Sequence, residues 1–223
     1  MLEEILPSGV ATVATRSEIS DAPLFPSEEI AIGRAVEKRR REFVTARACA
    51  RAALERLGIP PQAIPPGPKG EPQWPPGVVG SIAHCRGYRV AAVARKAEFA
   101  TVGIDAEPDE PLPEGVLGDI ALPEELRWLR AAPRRPPGVS WDRLLFCAKE
   151  AVYKAWFPLT GRWLGFEDAV VRIDAERRRF TARLLVPGPE LGGLERAGFA
   201  GRWLARDGLV IAAIAPTVRE FGA

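Results

Sequence analysis

The stretch Val102-Gly103-Ile104-Asp105-Ala106-Glu107 is apolar until it meets two carboxylates. Side chains alternate across a strand with a period of two, so Val102, Ile104 and Ala106 share one face and Gly103, Asp105 and Glu107 the other. Pro108 offers no ladder donor and stops the strand. Two acids about 4 Å apart repel by roughly 1–4 kcal/mol, depending on the local dielectric. A proton or a bound cation removes that cost, and so does simple solvation at a surface strand end. A second charged group lies in Phe146-Cys147-Ala148-Lys149-Glu150-Ala151-Val152-Tyr153-Lys154-Ala155-Trp156-Phe157. Lys154 follows Glu150 at i+4, the favourable order, but a plain helical ion pair of that kind is worth only about 0.3–0.5 kcal/mol.

Cations are concentrated elsewhere. Arg34, Lys38, Arg39, Arg40, Arg41, Arg47, Arg51 and Arg56 face only Glu37, Glu42 and Glu55. Arg39, Phe43, Arg47 and Arg51 recur every four residues, so the three arginines line one side of a helix. The ordinary reading is a solvated face with Glu37–Arg41 and Glu55–Arg51 pairs. The chemical one is a phosphate clamp, since guanidinium forks match phosphate oxygens two at a time. Lys69, in Lys69-Gly70-Glu71-Pro72, stands on a proline-stiffened loop that can aim it. His84 is the sole histidine and follows Gly80-Ser81-Ile82-Ala83. Taken singly, these are a solvated lysine and a structural histidine. A Ser-His hydrolase fits poorly, because Ser81 lacks the glycine-flanked elbow and is followed by more strand.

These groups need elements to carry them. Ser27 with Glu28 and Glu29 predicts a helix start, running to about residue 57 with an interruption near Gly33 and stopped by Gly58 and Pro60. Residues 59–77 form a proline-rich loop. Strands are expected at 78–84 and 88–94, joined as a hairpin through Arg86-Gly87, and then at 100–107. A short helix starts at Pro123, and Pro136-Pro137-Gly138 breaks the chain. Ser140 is expected to cap a helix that runs to about 157 and stops at Pro158, with Leu144, Ala148, Ala151, Val152 and Ala155 as its buried stripe. Strands follow at about 169–173, 179–186, 202–206 and 209–215, the last two joined by a primed turn at Asp207-Gly208. Val90-Ala91-Ala92-Val93-Ala94 echoes Ile211-Ala212-Ala213-Ile214-Ala215. The expected fold is therefore α+β, two similar lobes (a pseudo-dimer), each a long helix packed on an antiparallel sheet. The lobes are taken as 1–108 and 109–223, with the active site at their interface and Pro108 as a hinge.

The 223 residues, 47 % hydrophobic and 27 % charged, can build a sizeable core. A net charge of +2 does not argue for nucleic acid. No apolar run is long enough to span a bilayer. Met1-Leu2-Glu3-Glu4 is not the start of an export signal. Three cysteines without a CxxC spacing argue against a disulfide framework or a Cys-based zinc site, and a cytoplasmic setting is expected.

Taken together, Arg39-Arg40-Arg41-Glu42-Phe43 with Arg47, Lys69-Gly70-Glu71-Pro72, Gly80-Ser81-Ile82-Ala83-His84-Cys85, the 102–107 strand and the 146–157 helix resemble the phosphopantetheinyl transferases of the surfactin/enterobactin-synthase type. The resemblance runs from about 27 to 215. Cys147 departs from it, since many relatives carry Ser there. It implies transfer of the 4′-phosphopantetheine arm of coenzyme A to a serine of an apo acyl- or peptidyl-carrier protein, with adenosine 3′,5′-bisphosphate as the other product. It implies that Asp105, Glu107 and Glu150 gather around Mg²⁺ with the pyrophosphate. Glu150 is then the base for the serine, with Glu107 as the alternative, and Lys154 balances charge as the nucleotide leaves. Arg39, Arg47, Lys69, His84, Lys149 and Lys154 become contacts to coenzyme A. Phe146, Tyr153 and Trp163 are expected along the pantetheine slot. A monomer, no nucleic acid and no membrane are expected. The competing reading is a Mg²⁺-dependent phosphoesterase acting on a nucleotide like coenzyme A. A nucleic-acid binder ranks last, because it gives Asp105, Glu107 and Glu150 nothing to do. Fatty-acid, polyketide, nonribosomal-peptide and siderophore carriers are not separated.

Overall fold

The computed structural model describes residues 1–131, 137–191 and 194–222. Pro136 of the expected break lies outside them. The N-terminal lobe comprises β1 (Ala11–Thr15), α1 (Pro26–Ile32), α2 (Glu37–Arg56), β2 (Val78–Cys85) and β3 (Tyr88–Arg95). Its sheet is antiparallel in the order β1-β3-β2. The remaining elements are β4 (Gly103–Pro108), α3 (Val116–Ile120), α4 (Pro123–Ala131), α5 (Trp141–Thr160), β5 (Ala169–Asp174), β6 (Arg179–Leu184), a small β7–β8 hairpin (Glu190–Leu191, Leu194–Glu195), β9 (Gly198–Arg206), β10 (Leu209–Ile214) and α6 (Val218–Gly222). The second sheet is antiparallel in the order β4-β10-β9-β6-β5. Thus β4 precedes residue 109 but is hydrogen-bonded into the C-terminal sheet.

The layers follow from strand alternation. In β3, Ala91 and Val93 pack with Ala50, Ala53 and Leu54 of α2, whereas Val90, Ala92 and Ala94 face the other way. There they meet Ile104 and Ala106 of β4 and Ile211 and Ala213 of β10. Val210, Ala212 and Ile214 in turn face α5. The molecule is therefore helix, sheet, sheet, helix, and the two sheets share one core. The echo between 90–94 and 211–215 has a physical cause. Each segment is a strand covered on both faces, and such strands read as unbroken apolar runs. The free edges β2 and β4 meet, and Ser81 Oγ accepts the Ile104 N–H at 3.1 Å. Ser81 is thus a stitch between the sheets.

Several expectations are corrected. The first helix starts at Pro26, not at a Ser27 cap, and Glu28 accepts the Phe25 N–H at 2.9 Å. Arg51 pairs with the buried Glu28 at 3.0 Å rather than with Glu55, because Glu28 also takes the Ile64 N–H and needs a cation once it is out of water. The helical interruption near Gly33 is present, between α1 and α2. Pro158 does not stop α5, which runs on to Thr160 and ends on Gly161 in the left-handed region. Ser140 stands at the N-cap, but its side chain makes no cap bond. The strand β1 and the helix α3 were not expected.

One contact sets the spacing of the second lobe. A Cβ on Gly103 would lie 2.3 Å from the Ala151 carbonyl oxygen and 2.6 Å from the Ala155 nitrogen. The missing side chain lets α5 rest on the backbone of β4, and Thr101 Oγ1 fastens it by donating to Ala155 O at 2.9 Å. Overpacking of this kind costs about 1–3 kcal/mol, so Gly103→Ala is expected to lower the melting temperature by roughly 2–12 °C. A wild-type thermal melt for this variant would show that the contact gives way freely.

Candidate active site

A cleft of about 1200 Å³ runs along the seam of β2 and β4, flanked by α2 and α5. It gathers Arg39, Arg47, Lys69, His84, Asp105, Glu107, Glu150 and Lys154 on one surface, with Phe146 and Tyr153 beside them. Residues that are up to 115 positions apart in the chain thus share one cavity because the two sheets meet edge to edge.

The acidic side rests on β4. Asp105 is 5 % exposed, and its Oδ1 accepts from Lys154 Nζ at 2.7 Å. Its Oδ2 is buried without a hydrogen-bond partner. Lys154 therefore answers the strand, not Glu150 four residues before it. Burial works against the Lys154 ammonium, but the Asp105 charge and hydrogen bond, with Glu150, more than offset it and raise its pKa. Glu150 is raised by burial first and by Asp105 second. Glu107 is pushed up to about 7 by burial and by Asp105, against the pull of Arg143 and Lys154. Arg143 NH1 donates to Glu107 Oε2 at 3.3 Å. Arg143 was missed from the sequence, although its i,i+7 spacing to Glu150 places both on one face of α5.

The basic side belongs to the first lobe. Arg39 NH1 lies 3.1 Å from His84 Nε2. A guanidinium can only donate, so this nitrogen accepts and the imidazole proton sits on Nδ1. Desolvation in the cleft and then the Arg39 charge lower the His84 pKa, so the ring is neutral at pH 7. Arg47 stacks on Phe43 at 4.1 Å and donates from Nε to Ile64 O at 2.6 Å. Burial brings Arg47 down to about 10, still protonated at neutral pH. Lys69 sits on a turn closed by Gly67 N–H to Glu71 O at 2.7 Å, and Glu71 Oε2 accepts the Lys69 N–H at 2.9 Å.

Lys149 does not join this wall. It is 4 % exposed and turned away from the cleft, donating to Phe166 O at 2.6 Å and Ala169 O at 3.0 Å and pairing with the buried Glu125 at 3.0 Å. Neighbours on a helix diverge by about 100°, so Lys149 faces α4 and β5 while Glu150 faces the cleft. Glu125 was missed too, for its partner is 24 positions away. Trp163 is 71 % exposed and lies against Tyr153 in a tilted ring contact at 5.0 Å, outside the cleft lining.

Among the described residues, no three His, Cys, Asp or Glu side chains form a metal cage by themselves. The donor set still suits Mg²⁺. It is all carboxylate oxygen, one oxygen is buried and unpartnered, and this ion commonly takes one or two carboxylates and completes its shell with phosphate and water.

Family models match in two spans: the 4′-phosphopantetheinyl transferase N-terminal domain over residues 15–94, and the 4′-phosphopantetheinyl transferase superfamily over 101–204. The chain is 54 % identical over 218 residues to a 4′-phosphopantetheinyl transferase of Streptomyces mobaraensis, covering 96 % of this chain and 89 % of that one. It is 51 % identical over 223 residues to one of Nocardia iowensis, covering 96 % and 99 %, and 48 % identical over 223 residues to one of Mycobacterium tuberculosis, covering 96 % and 97 %. The chain belongs to the 4′-phosphopantetheinyl transferase superfamily. As a transferase of this kind it shares more distant likeness with enterobactin synthase component D of Salmonella typhi, 34 % identical over 123 residues, covering 53 % of this chain and 49 % of that one. The gap between the two family spans falls where the transferase chain leaves its first sheet for its second. No helix among the described residues is long and apolar enough to cross a membrane.

The raised Glu107 pKa has a thermodynamic sign. Between its ordinary value of 4.5 and its folded value of about 7, the folded protein holds a proton that the unfolded chain has released. The group's contribution to stability therefore falls as pH rises through that window. In metal-free protein, Glu107→Gln is expected to reduce the loss of stability between about pH 5 and about pH 7.5, read by urea denaturation. An unchanged difference between the two pH values would assign that titration to another group.

Proposed function

We propose that the cleft transfers 4′-phosphopantetheine from coenzyme A to a serine of an apo acyl- or peptidyl-carrier protein, with Mg²⁺ bound at the acidic ledge. One observation carries this reading: a single cleft sets the Asp105, Glu107, Glu150 and Lys154 cluster opposite the Arg39, Arg47, Lys69 and His84 wall. A polyphosphate nucleotide needs cations along its length and a place for one phosphorus to be attacked, and the two sides supply these. The basic wall holds the phosphates of coenzyme A. His84 offers its Nδ1–H, while Arg39 and Arg47 offer forked donors. Asp105, Glu107 and Glu150 would hold Mg²⁺, which neutralises charge building on the transferred phosphate.

The chain's own residues move the proton and the charge. Glu150, with its raised pKa, takes the proton of the serine hydroxyl. The serine oxygen forms a bond to phosphorus as the pyrophosphate P–O bond breaks. Lys154 neutralises the departing adenosine 3′,5′-bisphosphate. Phe146 and Tyr153 offer an apolar wall for the pantetheine arm. One chain supplies both sides of the cleft, so the active unit proposed is a monomer.

Incubation with coenzyme A, Mg²⁺ and apo carrier proteins is expected to add one phosphopantetheinyl group, seen by mass spectrometry. No addition across fatty-acid, polyketide and nonribosomal carriers would sink the proposal. Release of free phosphopantetheine instead would favour the phosphoesterase. Glu150→Gln is expected to keep coenzyme A binding and lose about 10²–10⁴-fold in turnover. Asp105→Ala is expected to remove Mg²⁺-stimulated transfer altogether, and retained stimulation would place the metal elsewhere.

A further inference from the structure

We propose that Arg143 is a positioning residue of the transfer reaction. It fixes the second carboxylate of the acidic ledge, Glu107, and ties it to the backbone of the segment that follows. The inference rests on reading that ledge as the metal and transfer site.

Three donors of one guanidinium are committed. NH1 donates to Glu107 Oε2 at 3.3 Å, Nε to Glu110 O at 3.0 Å and NH2 to Pro111 O at 3.1 Å. The Arg143 and Glu107 side chains are only 16 % and 20 % exposed, so this is not a surface pair fluctuating in water. Glu107 lies near the end of β4, where the sheet holds its backbone: Glu107 pairs with Val210 and Pro108 with Leu209 of β10, and the Asp109 N–H donates to Gly208 O at 2.9 Å. The sheet does not fix the carboxylate, and Arg143 holds that from α5. The same helix carries Glu150 and Lys154, so the fork sets Glu107 in register with them.

The link reaches the other lobe. The Glu110 carboxylate pairs with Arg86, on the β2–β3 turn two residues past His84. The contacts Arg86–Glu110–Arg143–Glu107 thus run from the histidine's turn to the acidic ledge, through an exposed Arg86–Glu110 pair and a half-buried Arg143–Glu107 pair. A lysine keeps the charge but cannot span one carboxylate and two carbonyls from fixed directions. Partners that orient a metal-binding carboxylate commonly contribute 10–100-fold to metal affinity.

The test measures Mn²⁺ affinity without coenzyme A, from the loss of the free-ion electron paramagnetic resonance signal. Activity and thermal melts are measured alongside. Arg143→Lys and Arg143→Gln are both expected to weaken Mn²⁺ binding by about 10–100-fold. Both should also raise the Mg²⁺ concentration needed for half-maximal transfer, while metal-free coenzyme A binding is unchanged. Wild-type Mn²⁺ affinity in Arg143→Lys would mean that charge alone matters and would overturn the proposal. Tighter Mn²⁺ binding in Arg143→Gln would overturn it too, since Arg143 would then be a competitor of the metal. Should Arg143→Gln fail to fold, Arg143→Lys decides. The underlying reading fails separately, if Asp105→Ala leaves wild-type Mn²⁺ binding intact.

Discussion

The closeness of α5 to β4 is the constraint on which the cleft depends. With no side chain at position 103, the helix backbone sits directly on the strand. Lys154 can then reach Asp105 across the gap at 2.7 Å, and Glu150, one turn earlier, faces the same ledge. A helix displaced by a single methyl group would separate these charges and admit water between them. The Thr101 hydroxyl, bonded to Ala155 O, holds the same contact from the strand side.

Charge is placed with equal economy. An unpaired buried carboxylate is costly, and losing one partner of a buried pair costs about 3–5 kcal/mol, against roughly 0–1 kcal/mol for a pair in water. The buried acids accordingly have dedicated partners: Glu28 with Arg51, Glu125 with Lys149, Asp105 with Lys154. The first two are enclosed and serve the framework. The third opens onto the cleft and leaves one Asp105 oxygen without a hydrogen-bond partner. Two lysines five residues apart on α5 therefore differ in kind. Lys149 is a pin in the core, and Lys154 lines the cleft.

The shared core between the sheets explains why the cleft is formed by one chain. β3 and β10 are covered on both faces, so neither lobe presents a finished surface without the other. Their edge strands meet through Ser81, and the seam that results carries His84 on one side and Asp105 on the other. Ser81, whose sequence context already argued against a hydrolase nucleophile, is a connector in three dimensions.

Much was legible from the chain alone, because it depended on local periodicity. Alternation placed Asp105 and Glu107 on one face. Helical spacing placed Glu150 with Lys154 and Arg39 with Arg47, and Asp207-Gly208 marked a primed hairpin turn, with Asp207 at φ +53°. The doubled apolar strands signalled two lobes. What local spacing cannot give is the identity of partners across long separations. Lys154 chose Asp105 over Glu150, Arg51 chose Glu28 over Glu55, and Lys149 turned to Glu125. Each choice was made by burial, because a charge removed from water pairs with whichever opposite charge the packing brings within 3 Å, not with the nearest one in sequence. Pro158 likewise sits in the last turn of α5 without ending it. Sequence by itself determined the candidate residues for the chemistry and the faces most of them occupy. Tertiary packing decided which of them meet.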